Sequence, residues 1–220
     1  VAAQMFKTLA DEGINIQLIS TSDVKVSCTI DRADCDRAIA ALCAQFDIST
    51  STHKLPPADN APAVRGVALD LDRARLAVLQ VPDLPGRAAE LFCALAEKNI
   101  VMDTIIQSQR TRIVNGVATR DIAFTVAQGD AADAKAAIES TAARLGCGDV
   151  IVDDSISKVS IVGAGMVANP GVAAKMFDAL AAAGINLQMI STSEIKISCV
   201  VARDRAIEAV KIVHQAFGLG

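Results

Sequence analysis

Two hydrophobic periodicities alternate along this chain of 220 residues. In 88–95, Ala88, Leu91, Phe92 and Leu95 fall three and four apart, the spacing that lines one side of a helix. Val172, Met176, Phe177 and Leu180 repeat it. Each of these helices is predicted to stop at a residue that tolerates left-handed backbone, Asn99 in one and Gly184 in the other. A β-rich run follows (IVMDTIIQS, INLQMIS), then another strand (RDIAFTVA, EIKISCVV). A second helix comes next, at Ala131–Leu145 or 203–217.

The recurrence is a repeat. Residues 1–30 align without gaps to 172–201, and 18 of the 30 positions are identical. A weaker copy, PGRAAELFCALAEKNIVMDTIIQS, matches PGVAAKMFDALAAAGINLQMISTS at an offset of 85. The middle copy, 74–154, reads β-α-β-β-α-β in full, with strands at 75–81, 100–108, 119–127 and 149–153. That grammar predicts the α+β class: a ferredoxin-like unit, a four-stranded antiparallel sheet with two helices on one face. The last copy has strands at 157–163, 185–191 and 194–201 and helices near 171–183 and 203–217, but lacks a fourth strand. The unassigned run RGVALDL, 65–71, is expected to fill that edge, so that the 74–154 module is inserted within its neighbour's sequence. Residues 1–48 read as the same module without its opening. The repeat predicts a strand and glycine loop ahead of Val1. With open sheet edges this copy should be poorly ordered or borrow a partner. Residues 49–64, polar and Pro-rich, read as a linker.

Composition narrows the chemistry. The chain is 52% hydrophobic with net charge −4, which argues against disorder and nucleic-acid binding. Without Trp or Tyr it offers no stacking platforms, and no apolar run approaches the roughly 18 residues of a membrane span. The six cysteines (28, 35, 43, 93, 147, 199) include no C-x-x-C pair, and the two histidines stand far apart, His53 in the linker and His214 on the last helix. No structural zinc site, catalytic triad or Cys/His pair is expected, and a reducing cytoplasm fits best.

One motif points elsewhere. Gly163-Ala164-Gly165-Met166-Val167-Ala168 follows an apolar run as G-x-G-x-x-A, the dinucleotide-binding pattern. That reading requires a helix starting at the glycines and an acidic residue at the end of the next strand. Here Asn169-Pro170-Gly171 intervenes, and the strand ends LQMIS. The middle copy has VPDLPG at this place, so the shared element is the Pro-Gly helix entrance. The glycines are expected instead to let backbone pack closely against a neighbouring module.

An α-amino acid needs donors for its carboxylate and an acceptor for its ammonium. Exposed amides at the helix start after Pro85-Gly86 supply donors, aided by the helix dipole. Asp83 beside them can accept from an ammonium group or simply form the turn. The hydroxyls and carboxylate of ISTSD and ISTSE can cap backbone donors or clasp a ligand.

Taken together, VPDLPG, QSQRTR, RDIAFTV, KVSIVGAGMVANPGVAAKMFDALAAAGINLQMISTSEIKISCVV and the DRAI helix resemble the tandem ACT domains of the regulatory region of aspartate kinase, in the cyanobacterial-type arrangement with two ACT pairs. The resemblance implies a chain with no catalytic residues of its own, since the kinase domain of the parent chain, with its KFGG motif, ATP and Mg²⁺, is absent. It implies lysine and/or threonine as effectors for feedback inhibition, and a homodimer through the ACT modules. It places effector contacts at Asp83, Pro85, Gly86, Ile100, Met102, Asp103, Gln107 and Ser108, and in the last copy at Asn186, Leu187, Gln188, Ser193 and Glu194. Asp103 is replaced by Gln188 and Gln17 in the other copies, so the modules are not expected to bind equally. The competing readings are an assembly module that binds no amino acid, and the ACT sensor of another biosynthetic enzyme.

Overall fold

The computed structural model describes residues 1–22, 25–49, 62–166 and 169–219. The 49–64 linker lies mostly outside these residues. In chain order the elements are α1 (Ala2–Asp11), β1 (Leu18–Ser22), β2 (Lys25–Thr29), α2 (Cys35–Phe46), β3 (Gly66–Asp70), β4 (Ala74–Pro82), α3 (Arg87–Glu97), β5 (Met102–Gln107), β6 (Arg112–Val114), β7 (Val117–Val126), α4 (Ala131–Leu145), β8 (Val150–Asp153), β9 (Ile156–Val162), α5 (Val172–Ala182), β10 (Met189–Thr192), β11 (Lys196–Ala202) and α6 (Ala206–Ala216). They form two compact units, Val1–His53 with Arg75–Asp153, and Lys54–Ala74 with Asp154–Gly220.

The first unit is built on one sheet, ordered β2-β1-β5-β7-β4-β8, with β6 also paired to β7. Strands β5, β7, β4 and β8 with α3 and α4 make the β-α-β-β-α-β module. Leu76 and Val78 of β4 and Phe124 and Val126 of β7 are fully buried, as are Leu91, Phe92 and Leu95 of α3 and Ile138 of α4. The helical spacing and the strand alternation thus meet in one core.

The first copy of the repeat joins this module by strand addition. Its β1 lies antiparallel along the edge strand β5, with Ser20 opposite Ile106. The Thr21 hydroxyl accepts the Ile105 amide at 2.7 Å and donates to the Asp103 carbonyl at 3.4 Å. A side chain therefore satisfies edge groups that a backbone ladder would otherwise pair. Phe6 of α1 packs on Phe92 with ring centroids 5.6 Å apart, and Phe92 meets Phe124 edge-on at 5.7 Å. These aromatic contacts run from α1 through α3 to β7. The copy at 1–48 borrows its neighbour's edge and core.

The second unit has its own sheet, ordered β10-β11-β9-β3. Strand β3 pairs antiparallel with β9 from Gly66 opposite Val162 to Asp70 opposite Lys158. Residues 65–71 thus supply the edge next to β9 from across the intervening module. The core gathers Val159, Ile161, Ile197, Cys199 and Val201 under Met176, Leu180 and Val213 of the two helices.

Gly163 owes its place to this donated strand. A Cβ on it would stand 2.2 Å from the Ala63 carbonyl oxygen and 2.8 Å from the Val64 Cα. Only glycine admits that approach. The close packing expected of this glycine is therefore with the lead-in to β3, within its own unit. The chain turns at 164–166, and α5 begins only at Val172, so no helix starts at Gly165. The dinucleotide reading lacks the helix that would face a pyrophosphate.

All three copies close their first helix alike. The amides of Ile14, Ile100 and Ile185 donate to the carbonyls of Leu9, Leu95 and Leu180, at 2.9, 3.0 and 2.9 Å. Left-handed Gly13, Asn99 and Gly184 precede them. This is the Schellman closure, in which an apolar residue after the stop packs back on the helix. Two expectations change with it. Strand β10 begins at Met189 rather than at 185, because Ile185 is buried by the helix stop and not by strand pairing. Ile100, only 7% exposed, locks α3. The short strand β6 was not anticipated; it forms a hairpin with β7 through Asn115-Gly116, both left-handed.

Candidate functional site

Within the first unit, a cleft lies between the entrance of α3 and the loop that follows α1. Asn15, Ile16, Asp83, Gly86, Ala89 and Gln107 are among the residues that line it, and about 20 Å³ of free space remains inside. That is room for one water-sized body.

The entrance is shaped by two unusual backbone positions. Gln80 of β4 has φ 53 and donates its amide to the Asp121 carboxylate at 2.9 Å. Asp121 is also paired with Arg112 of β6 at 3.2 Å. This carboxylate thus pins a left-handed residue in the strand leading to Val81-Pro82-Asp83. Gly86 has φ 88 and begins α3. The Arg87 amide donates to the Leu84 carbonyl at 3.3 Å. The next amides, of Ala88 and Ala89, stand in the first turn, where helix geometry provides no intrahelical acceptor. The positive end of the helix dipole therefore opens on the cleft.

The Asp83 carboxylate stands beside that turn. Asn15 donates to its Oδ1 at 3.4 Å, and Arg120 of β7 brings its Nε to 3.1 Å from Oδ2. Both ionic side chains are largely buried, 13% and 17% exposed. The Arg120 Nε is nonetheless without a properly directed hydrogen bond. The contact is one of charge proximity. Arg120 also donates through Nη1 to the Gln17 carbonyl. Gln107, at the end of β5, is 7% exposed, and its Oε1 is buried with no partner among the described residues. A buried amide oxygen left this way is costly unless something donates to it.

Among the positions expected from the sequence, Asp83, Gly86 and Gln107 come together here, with Pro85 in the same turn. Ile100, Met102 and Asp103 do not join them. Met102 starts β5 and Gln107 ends it, about 17 Å apart along an extended strand. Asp103 there accepts from the Thr125 hydroxyl and, through its carbonyl, from Thr21. Ser108 shapes the turn after β5: its amide donates to the Asp121 carbonyl at 2.8 Å and its Oγ accepts the Arg110 amide at 3.1 Å.

In the second unit, Asn186 and Leu187 follow the stop of α5. The Gln188 amide donates to the Val200 carbonyl at 2.9 Å, while its Oε1 is buried without a partner among the described residues. The Ser193 amide and hydroxyl both reach the Lys196 carbonyl, at 2.7 and 3.3 Å, so this serine closes the β10–β11 turn beside Glu194. Gly184, two residues before Asn186, holds the left-handed stop of α5.

Asn15, Ile16 and Arg120 were missed. The repeat carried the signal for the first two, because Asn15 and Ile16 match Asn186 and Leu187 at the offset of 171. Arg120 sits in the quoted RDIAFTV run, but nothing local announces that it faces Asp83. Burial raises the pKa of Cys28, Cys93 and Cys147, and that of Cys199 to about 12, which keeps these four thiols protonated at neutral pH. Among the described residues no group of three or more His, Cys, Asp or Glu could hold a metal ion, and no helix is long and apolar enough to cross a membrane. The cleft gathers a carboxylate, two helix-start amides and a buried amide oxygen.

Tandem modules of this β-α-β-β-α-β topology define a class of regulatory domain, and the ACT domain model matches residues 1–46 and 159–217. The regulatory subunit of aspartate kinase from Thermus thermophilus is 46% identical, covers 70% of this chain and 99% of its own length, and superposes with a TM-score of 0.64. Aspartate kinase from Synechocystis matches all of this chain with 37% of its own, at 56% identity and a TM-score of 0.93. The curated aspartokinase of Thermus thermophilus is 45% identical over 157 residues, 71% of this chain and 38% of that protein. The chain belongs to the ACT-domain regulatory regions of aspartate kinase. It spans about two fifths of the length of that curated relative.

Proposed function

We propose that the cleft of the first unit binds an amino-acid effector, lysine and/or threonine, and that its occupancy carries feedback inhibition of an aspartate kinase. The observation behind this reading is the buried Gln107 Oε1, without a partner among the described residues, in a cleft also lined by Asp83, Ala88 and Ala89. The effector's carboxylate lies on the Ala88 and Ala89 amides, its ammonium on Asp83, and its side chain meets Gln107. Asn15 and Ile16 close the opposite wall. The reading includes a kinase domain that responds, with its ATP and Mg²⁺, a homodimer through the ACT modules, and a cytoplasmic setting. Control requires that the effector bind one state of the whole enzyme better than the other.

Calorimetric titration of the chain with each amino acid tests the reading. Asp83→Asn is expected to weaken binding by on the order of tenfold to a hundredfold, the effect of losing a partly buried charge pair. Unchanged affinity in this variant counts against the site. A module that only assembles would give no heat with either amino acid in the unaltered chain.

A further inference from the structure

We infer that Asp121 is a positioning residue of the cleft: it touches no guest, yet it sets the place of Asp83 and Gln107, which do. The inference rests on the amino-acid reading of the cleft and adds to it the residue on which the cleft's shape depends. Ile122 of β7 lines the cleft. Its neighbour Asp121 points to the opposite face of the strand. There its carboxylate takes the Gln80 amide at 2.9 Å and the Arg112 guanidinium at 3.2 Å. Gln80 has φ 53, a conformation that a residue with a Cβ keeps only where its surroundings hold it.

As far as Leu79, β4 follows the edge beside it. The Leu79 amide donates to the Asp149 carbonyl at 3.0 Å, and the Leu79 carbonyl accepts the Gly148 amide at 2.8 Å. At Gln80 the backbone turns left-handed. The Gln80 side chain lies against Gly148, where an added Cβ would stand 3.3 Å from the Gln80 Cδ and Oε1. The Gln80 amide goes to a side chain, that of Asp121. Three residues on, the Asp83 amide donates to the Ala118 carbonyl at 2.8 Å, so the path taken at Gln80 delivers the Asp83 carboxylate to the cleft. Asp121 reaches the other wall through its backbone. Its carbonyl accepts the Ser108 amide at 2.8 Å, next to Gln107, which stands opposite Ile122 in the ladder. One residue therefore ties together the strand ends that bear Asp83 and Gln107.

The test titrates the chain with L-threonine and L-lysine by calorimetry, unaltered and as Asp121→Ala, Asp121→Asn and the double variant Gln80→Gly/Asp121→Ala. The temperature is one at which melting curves show each variant folded, so a loss of stability alone leaves the affinity unmoved. Asp121→Ala is expected to weaken binding by on the order of tenfold, the equivalent of a left-handed residue left unsupported. Asp121→Asn keeps an oxygen for the Gln80 amide and should bind as the unaltered chain does. Glycine takes the left-handed conformation without support, so Gln80→Gly should restore the binding that Asp121→Ala loses. Unchanged affinity in Asp121→Ala overturns the inference. So does a double variant no better than Asp121→Ala, or an Asp121→Asn variant as weak. Should Asp121→Ala not fold, the double variant must still fold and bind as the unaltered chain does, or the inference falls. If neither amino acid gives heat with the unaltered chain, the amino-acid reading fails, and hydrogen exchange at the Asp83 amide decides the role of Asp121 by itself. Faster exchange there in Asp121→Ala, slowed again in the double variant, upholds Asp121 as the residue that places this turn, and any other pattern overturns it.

Discussion

A methyl group on Gly163 would press on the Ala63 carbonyl oxygen at 2.2 Å, backbone against backbone, with no flexible end to move aside. Gly163→Ala is expected to cost at least about 1–3 kcal/mol, the range for overpacking, read as a lower denaturation midpoint in chemical unfolding. Cys199 makes a second residue-scale prediction. Burial raises its thiol from 9.0 to about 12, so it should be among the last cysteines alkylated in the folded chain at neutral pH. The folded value lies above the unfolded one. Its contribution to stability is therefore complete below pH 9.0 and is lost as pH rises towards 12. At this scale the sequence was read unevenly. Asp83, Gly86 and Gln107 were legible because a carboxylate, a helix entrance and the family pattern all marked them. Ile100 reads from the sequence as core or pocket wall alike, and its amide, which donates to the Leu95 carbonyl, places it in the helix stop. Arg120 was silent, since a strand arginine finds its partner only when β7 and β4 are side by side.

The elements were easier to foresee than the way they join. Spacing and stop residues marked α3 and α5, and turn residues bounded most strands. The β6 hairpin was passed over because a three-residue strand carries almost no alternation, although Asn115-Gly116 is a strong turn signal. The joining of 1–48 to the next module depends on contacts across long sequence separations that local pattern does not encode. Phe6 carries much of it, fully buried and stacked on Phe92. Phe6→Ala should cost about 3–5 kcal/mol by thermal or chemical unfolding. Thr21→Val removes the acceptor of the Ile105 amide and should cost about 1–3 kcal/mol, with faster hydrogen exchange at that amide.

For the whole molecule, a protease site placed in 50–61 and then cut should leave 1–48 bound to the remainder, because the first copy shares a sheet and an aromatic core with β5 and α3. Co-migration of the two pieces on size exclusion is the expected result. Separate elution would mean that these contacts do not hold the first copy by themselves. An effector that binds only the folded chain should also raise its stability, by about 2.7 kcal/mol at a hundred times its dissociation constant.

The line where β1 meets β5 has a mechanical meaning. Strands β1 and β2 are zipped residue by residue, but β1 and β5 share the single register pair Ser20–Ile106, reinforced by the Thr21 hydroxyl. The broad sheet therefore has a seam there, between the first copy and the next. Asn15 stands on one side of it, and Asp83 and Gln107 on the other, so a guest held between them acts as a staple across the fold line. What such a guest changes first is stiffness along that line. If the cleft holds an amino acid, as proposed, its grip is felt along this seam.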